Sequence, residues 1–183
     1  MDQNKNQGLT LYYSEFETEV LGPIWLAATD DGLSTLRFDE DVVRFITSLA
    51  KSLDRQHQPN IIHNPQKTTP YLTALKEYCE KKKPIPGDLS LDLSALTEFQ
   101  QQILYFVRNI PFGATTTYGE IAEAIDKPNA SRAIGQVLRR NPIPIIIPCH
   151  RVLNADGTLG GYGGVMGSER KIALLKHESI ILA

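Results

Sequence analysis

Cys149 stands directly before a histidine in the segment Pro142-Ile143-Pro144-Ile145-Ile146-Ile147-Pro148-Cys149-His150-Arg151-Val152. Three prolines within seven residues exclude a regular helix or a central strand here, because each removes an amide donor and fixes its own backbone angle. The cysteine is therefore expected in a rigid, irregular frame. A thiolate is the nucleophilic form of cysteine, an adjacent histidine can act as its base, and Glu178, in Leu174-Leu175-Lys176-His177-Glu178, is available as a third member that orients the histidine. The other cysteine, Cys79, falls on an apolar-periodic stretch from Tyr71 to Lys82 and reads as a small buried hydrophobe. Two cysteines without Cys-x-x-Cys spacing indicate neither a disulfide framework nor a structural zinc site, so both are expected as free thiols.

Other residues carry weaker signals on their own. Gly160-Gly161-Tyr162-Gly163-Gly164 suggests a phosphate cradle, but it lacks the lysine and the preceding strand of a nucleotide-binding loop. Tyr118 alone reads as a helix-start aromatic, Asn141 as a helix C-cap after Arg140, and Arg132 as a surface arginine against a phosphate.

The elements that must position these residues can be read from periodicity and punctuation. Leu9 to Phe16, Ile24 to Thr29 and Leu33 to Phe38 are strand-like and separated by Gly22-Pro23 and Asp30-Asp31-Gly32, which predicts an antiparallel meander. Asp41 to Leu53 has helical spacing at Val42, Phe45, Ile46 and Leu49, and Tyr71, Leu72, Leu75 and Tyr78 repeat it; the polar stretch Asp54 to Thr69 between them reads as a loop. Lys81-Lys82-Lys83 followed by Pro84-Ile85-Pro86-Gly87 ends the second helix, and a domain boundary follows near Leu89 to Ser94. Thr97-Glu98-Phe99-Gln100 is a capping box that starts a helix to Arg108. A second box, Thr117-Tyr118-Gly119-Glu120, starts a short helix through Ile125, and Lys127-Pro128-Asn129 turns the chain into another helix from Ala130 to about Arg140. Two short helices across a tight turn suggest a helix-turn-helix. A last helix, about Ser168 to His177, carries Ile172, Leu174 and Leu175 on its buried side.

Composition narrows the class. The 183 residues are 42% hydrophobic and 22% charged, enough for one large or two small packed domains. The longest apolar runs are too short to cross a bilayer, and the polar start Met1-Asp2-Gln3-Asn4-Lys5-Asn6-Gln7 lacks the apolar core of a secretion signal, so a cytoplasmic, intracellular location is expected. A net charge of −2 argues against a broad positive field for nucleic acid. The charge is uneven, however: residues 1 to 94 hold 10 Lys+Arg against 14 Asp+Glu, and residues 95 to 183 hold 9 against 7. Any nucleic-acid face belongs to the second half.

Pro148-Cys149-His150-Arg151-Val152, preceded by Asn141-Pro142-Ile143-Pro144 and followed by Gly160-Gly161-Tyr162-Gly163-Gly164, closely resembles O6-alkylguanine-DNA alkyltransferases. Upstream, Ile110-Pro111-Phe112-Gly113, Thr117-Tyr118-Gly119-Glu120-Ile121-Ala122 and Ser131-Arg132-Ala133-Ile134-Gly135 continue the resemblance, which covers about Thr97 to Glu178. The resemblance implies that Cys149 accepts an alkyl group from O6 of guanine, and with O4-methylthymine as a further substrate. His150 would be its base through a water, Glu178 the partner of His150, and Asn141 the brace of the turn that holds the cysteine. Tyr118 would be the phenol that helps neutralise the leaving guanine. Arg132 would enter the stack where the flipped nucleotide was, on a helix whose small residues Ala130, Ser131, Ala133 and Gly135 suit close approach to the minor groove of double-stranded DNA. Arg139, Arg140 and Arg151 are candidate phosphate contacts or structural ion pairs. The glycine-rich stretch then reads as a wall of the base pocket, with Tyr162, Gly163 and Gly164 beside the ring and the carbonyls of Cys149 and Val152 accepting from the guanine amino group. The stretch Val165-Met166-Gly167-Ser168 looks about two residues longer than in many relatives, and Gly163 stands where some carry serine, which bears on tolerance of larger alkyl groups.

The expected architecture is α/β: an N-terminal ribonuclease-H-like sheet-and-helix domain, residues 1–92, and a mainly helical DNA-binding and alkyl-acceptor domain with a helix-turn-helix, residues 93–183. The thioether formed at Cys149 has no internal route to hydrolysis, so the expected enzyme is a single-turnover suicide methyltransferase and a monomer. No cofactor is expected, since the damaged DNA is the alkyl donor, and no metal, since the first half offers only Cys79, His57 and His63 as soft ligands. The rival is a noncatalytic alkyltransferase-like damage binder, which would lack the reactive cysteine. A sequence-reading transcription factor would not need Pro-Cys-His-Arg, and a cysteine hydrolase would turn over.

Overall fold

A computed structural model describes residues 9–19, 21–38, 41–52 and 59–180. The expected meander is present as β1 (Thr10–Thr18), β2 (Gly22–Ala28) and β3 (Leu33–Phe38), paired antiparallel with Tyr12 opposite Ala28 and Leu26 opposite Leu36. Helix α1 (Val42–Ser52) follows. Its Phe45 and Leu49 are buried, and with Leu11 and Ala27 they form a core against which Tyr13, Trp25 and Ile61 pack; Val42 and Val43 of the same helix are exposed.

The polar stretch expected as a loop is in part ordered. Asn60–His63 is a strand, β4, that joins β1 in parallel register, Leu11 opposite Ile61, and completes a mixed sheet of order β3-β2-β1-β4. Helix α2 (Pro65–Lys81) begins six residues before Tyr71. Only four residues long and half polar, β4 gives no alternation to detect; its order comes from the free edge of β1. Residues 53–58, including His57, lie outside the described residues.

By its internal contacts the chain forms two units and does not divide at one point. The first unit comprises residues 1–73 with 89–92, and the second comprises 74–88 with 93–183, so α2 contributes to both. The segment that returns to the first unit lies along β3: Leu33 N–H donates to Ser90 O at 3.1 Å and Asp92 N–H to Leu33 O at 2.9 Å. A Cβ at Gly32 would stand 2.6 Å from the Ser90 backbone, so only glycine admits this close approach.

The second unit is built mainly of helices. Both capping boxes form: Thr97 accepts from Gln100 N–H and receives the Gln100 side chain at its own amide, starting α3 (Glu98–Arg108), and Thr117 and Glu120 do the same. The second box follows β5 (Thr116–Thr117) and starts α4 (Tyr118–Ala124), so it fixes where Tyr118 leaves the backbone. The chain then turns through Asp126, at φ 57°, into α5 (Ser131–Arg139). On α5, Ile134, Val137 and Leu138 point inward, while Arg132, Ala133, Gln136 and Arg139 are exposed. After a single 3-10 turn, Cys149–Arg151, come β6 (Val152–Leu153), the hairpin β7 (Gly161–Tyr162) and β8 (Val165–Met166), and α6 (Glu169–His177). No helix among the described residues is long and apolar enough to cross a membrane, and no group of three or more His, Cys, Asp or Glu among them could hold a metal.

Candidate active site

The proline-rich segment folds around the side chain of Asn141. Its Nδ2 donates to Ile147 O at 2.8 Å and lies 3.2 Å from Cys149 Sγ, while its Oδ1 accepts from Ile143 N–H at 3.0 Å. Arg140, not Asn141, is the C-cap of α5, so the buried Asn141 braces the loop. The loop holds Ile145, a fully buried β-branched residue, at φ 73°, a conformation that persists only where its surroundings over-determine it. Beyond Cys149 the chain is fastened to β5, with Thr116 opposite Val152 and Thr117 opposite Leu153. That register brings the residue before Tyr118 alongside Leu153, four residues beyond Cys149.

Behind the thiol lies a buried charged network. His150 Nε2 is 2.8 Å from Glu178 Oε1, and the same oxygen accepts from Tyr78 Oη and Arg151 Nη2, each at 2.8 Å. Glu178 Oε2 accepts from Arg151 Nε at 2.8 Å and from Gly113 N–H at 3.2 Å. Burial alone would push the Glu178 carboxyl up, but the hydrogen bonds and charges of His150 and Arg151 together outweigh it and hold the group far below the usual carboxylate range. A carboxylate only accepts, so His150 Nε2 must carry the proton. Burial also lowers the His150 pKa, leaving a neutral imidazole whose Nδ1 is a buried acceptor with no hydrogen-bond partner among the described residues.

Lys171 is fully buried on α6, donating to the carbonyls of Val152, at 2.6 Å, and Leu159. Burial brings its pKa down to about 8. Burial likewise raises the Cys149 thiol, opposed by the Asn141 hydrogen bond and then by the charge of Lys171. The resting pair is a neutral thiol and a neutral imidazole. Lys171 and Arg151 outnumber Glu178 by one positive charge, and the charge of Lys171 favours the thiolate form of Cys149.

A cleft of about 500 Å³ opens between α5 and the β7–β8 hairpin, lined in part by Tyr118, Arg132, Arg139, Asn154 and Met166. The Tyr118 ring rests on Gly160: a Cβ there, at φ 61°, would be 3.2 Å from the phenol oxygen and 3.1 Å from Asn154 Oδ1. Burial, and then the charge of the nearby Cys149, raise the Tyr118 pKa, so its phenol stays a proton donor.

Two family descriptions match the chain in succession, "6-O-methylguanine DNA methyltransferase, ribonuclease-like domain" over residues 11–93 and "6-O-methylguanine DNA methyltransferase, DNA binding domain" over residues 98–180. The methylated-DNA–protein-cysteine methyltransferase of Methanosarcina acetivorans is 37% identical over 173 residues, 92% of this chain and 98% of that protein. The chain belongs to the 6-O-methylguanine DNA methyltransferase family. The relative from Mycobacterium leprae is 52% identical over 90 residues, which span 49% of this chain and 53%, about half, of that protein. The crystal structure of Mycobacterium tuberculosis OGT in complex with DNA superposes with a TM-score of 0.73 at 36% identity, covering 94% of this chain and 96% of that one.

Within this methyltransferase-family chain, Cys149, Asn141, His150 and Glu178 come together, and Tyr118 and Arg132 line one cleft. Ser131 and Gly135 also line it; Ala133 is exposed and Ala130, at the helix cap, is half-buried. Of the four expected pocket-wall residues, Gly164 lines the cleft, Gly163 occupies the exposed hairpin turn, and Val152 and Tyr162 are buried. Tyr162 packs edge-on to His150, with centroids 6.4 Å apart, and so supports the imidazole ring. The Val152 carbonyl accepts from Lys171, and that of Cys149 from the amide of Val152. Arg151 as a phosphate contact is corrected: it is buried, and its Nε and Nη2 bond Glu178 while Nη1 bonds Ile110 O at 2.6 Å.

Sequence reasoning missed Tyr78 and Lys171. Lys171 left a signal, since Lys171, Leu174, Leu175 and Glu178 repeat at helical spacing and share one buried face, whereas Ile172 is only half-buried. Tyr78 looked like core, which it is, apart from its hydroxyl.

Proposed function

We propose that this chain repairs DNA by direct reversal, moving the alkyl group from O6-alkylguanine, and from O4-methylthymine, to Cys149 once per molecule. The observation that carries the reading is the Asn141-held thiol of Cys149 beside a neutral histidine whose buried Nδ1 is its one available nitrogen. The thiol proton passes through a water to His150 Nδ1, sulfur attacks the alkyl carbon as the carbon–O6 bond breaks, and the electron pair goes to the guanine. Tyr118 donates a hydrogen bond to the departing base, which finally takes up the proton held by His150. Lys171 favours the step because its buried positive charge attracts the thiolate more than the thiol. Unlike a hydrolase's thioester, a thioether resists water, so the protein is spent.

DNA approaches through its minor groove to the exposed face of α5, where Arg132 fills the place of the flipped nucleotide and Arg139 and Arg140 meet phosphates. Binding and acceptor groups fall in residues 93–183, with Tyr78 as a support from the preceding helix, and residues 1–92 form the companion domain. Every reacting group comes from one chain, which suits a monomer acting inside the cell, where its DNA substrate is. No cofactor enters the balance.

The test is intact-protein mass spectrometry after incubation with a duplex containing one O6-methylguanine, followed by peptide mapping. One methyl group per molecule, on Cys149, is the expected result; tight binding without mass gain would replace the reading with damage sensing. Arg132→Ala is expected to slow transfer from duplex by at least about tenfold while leaving reaction with free O6-methylguanine base unchanged, since extrusion is worth a few kcal/mol. Equal slowing of both substrates would remove Arg132 from extrusion.

A further inference from the structure

We infer that Tyr78 is a positioning residue for the transfer: its hydroxyl shares one oxygen of the Glu178 carboxylate with His150 and so limits how strongly the carboxylate holds the imidazole and its proton. The inference rests on the alkyl-transfer reading above. A buried tyrosine is ordinarily a packing residue whose hydroxyl has found some partner, and Tyr78 is 1% exposed. Its surroundings say more. It lies in the part of α2 that belongs to the second unit, with its ring edge-on to Phe112, centroids 6.0 Å apart, and 5.0 Å from the ring of His177. His177 Nε2 also donates to the Tyr78 carbonyl at 2.7 Å, so ring and backbone are both held by the residue next to Glu178. The hydroxyl is thereby aimed at Glu178 Oε1, 2.8 Å away.

The carboxylate carries more donors than it has lone pairs. Oε1 accepts from Tyr78 Oη, His150 Nε2 and Arg151 Nη2, and Oε2 from Arg151 Nε and Gly113 N–H, five donors on about four lone-pair sites. Arg151 spans both oxygens and fixes the plane of the carboxylate, which leaves Tyr78 and His150 to compete on Oε1. Each hydrogen bond draws charge from the oxygen, so the phenol weakens the pull of Glu178 on the His150 Nε2 proton and, through the ring, the basicity of Nδ1. This acts in the same direction as burial and the charges of Arg151 and Lys171, which lower the His150 pKa against the hydrogen bond and charge of Glu178. The imidazole stays neutral and able to receive the Cys149 proton. Burial, and then the charge of Glu178, push the Tyr78 phenol well above its ordinary 10, so it donates a hydrogen bond without surrendering its proton. Cys149 and Arg151 on its own turn, Tyr162 on β7, and Lys171 and Glu178 on α6 adjoin His150, while His177 faces Tyr78 and Tyr118 is coupled to Cys149. All of these are kept when the Tyr78 hydroxyl alone is changed.

The experiment follows single-turnover methyl transfer from a duplex carrying one O6-methylguanine, by intact mass, from about pH 5 to about pH 8 in the parent, in Tyr78→Phe and in a chain with 3-fluorotyrosine at position 78 alone. On the acid side the rate falls as His150 is protonated. Loss of the hydroxyl should move that limb up by at least about half a unit, part of the roughly one to two units that a full hydrogen bond to a charged group is worth. The fluorinated phenol, a stronger donor of nearly the same shape, should move it down. Tyr71→Phe, which removes another α2 hydroxyl, bonded to Ser90 O at 2.8 Å, should leave it in place. Displacements of opposite sign do not arise from loosened packing, which lowers denaturant midpoints and rates without moving the limb. A limb that stays put, or moves the same way in both position-78 variants, overturns the inference while the parent still transfers methyl. If Tyr78→Phe does not fold, the direction of the shift in the fluorotyrosine chain decides alone; absence of any methyl gain by the parent overturns the alkyl-transfer reading itself.

Discussion

Cys149→Ala is expected to bind duplex containing O6-methylguanine as the parent does and to gain no methyl group at any time. The proposed binding face is the exposed side of α5, and position 149 is not among the residues that line the cleft beside it. The loop survives because Asn141 keeps its bonds to Ile147 O and Ile143 N–H and loses only the weak contact to sulfur. No other group stands in its place: the second thiol, Cys79, is buried on α2. Fluorescence anisotropy and intact mass on one preparation give both readouts. Removal of the methyl group from DNA by this variant would sink the mechanism.

Glu178→Gln is expected to cost both stability and rate. The carboxylate accepts five hydrogen bonds from Tyr78, His150, Arg151 and Gly113. A glutamine offers one acceptor oxygen and an amide that faces donors with donors, leaving the Arg151 guanidinium buried without its counter-charge. Breaking such a pair from one side costs about 3–5 kcal/mol. The amide can also donate to His150 Nε2, which moves the imidazole proton to Nδ1 and removes the lone pair that receives the Cys149 proton. Transfer should slow by about 10²- to 10⁴-fold, the range of general-base assistance. Denaturant midpoints and single-turnover rates read the two losses separately; a rate within twofold of the parent would remove Glu178 from the chemistry.

The same network sets the acid sensitivity. In the folded chain His150 titrates below its ordinary 6.5 and Glu178 far below its ordinary 4.5. The unfolded chain therefore takes up these protons first as pH falls. The stability contributed by this pair is full above about pH 6.5, declines as His150 is forced to charge, and declines further below about 4.5 as the Glu178 contribution is lost. The Glu178→Gln variant should show a shallower second decline than the parent, which a urea midpoint series from pH 7 to 3.5 would show.

Legibility in the sequence followed the locality of each interaction. Thr97 with Gln100 and Thr117 with Glu120 declare helix starts because a capping box closes within three residues. The strand β4 did not, since its order depends on an edge supplied some fifty residues earlier by β1. Arg151 shows the same limit from the other side: an arginine two residues after Cys149 suits either a phosphate or a carboxylate, and only the arrival of Glu178 and the Ile110 carbonyl decides between them.

Read by itself, the sequence located the cysteine-histidine segment, the two short helices α4 and α5 across their turn, and the proline-rich frame of the cysteine, because proline chemistry, capping and periodicity act between near neighbours. Tertiary structure decided the protonation of the site. Whether the thiol is neutral, which imidazole nitrogen is free, and whether Lys171 is a surface charge or a buried one depend on burial and on partners as far apart as Tyr78 and Glu178. The energy of a charge is set by the dielectric and the counter-charges around it in space, and those exist only once the chain has folded.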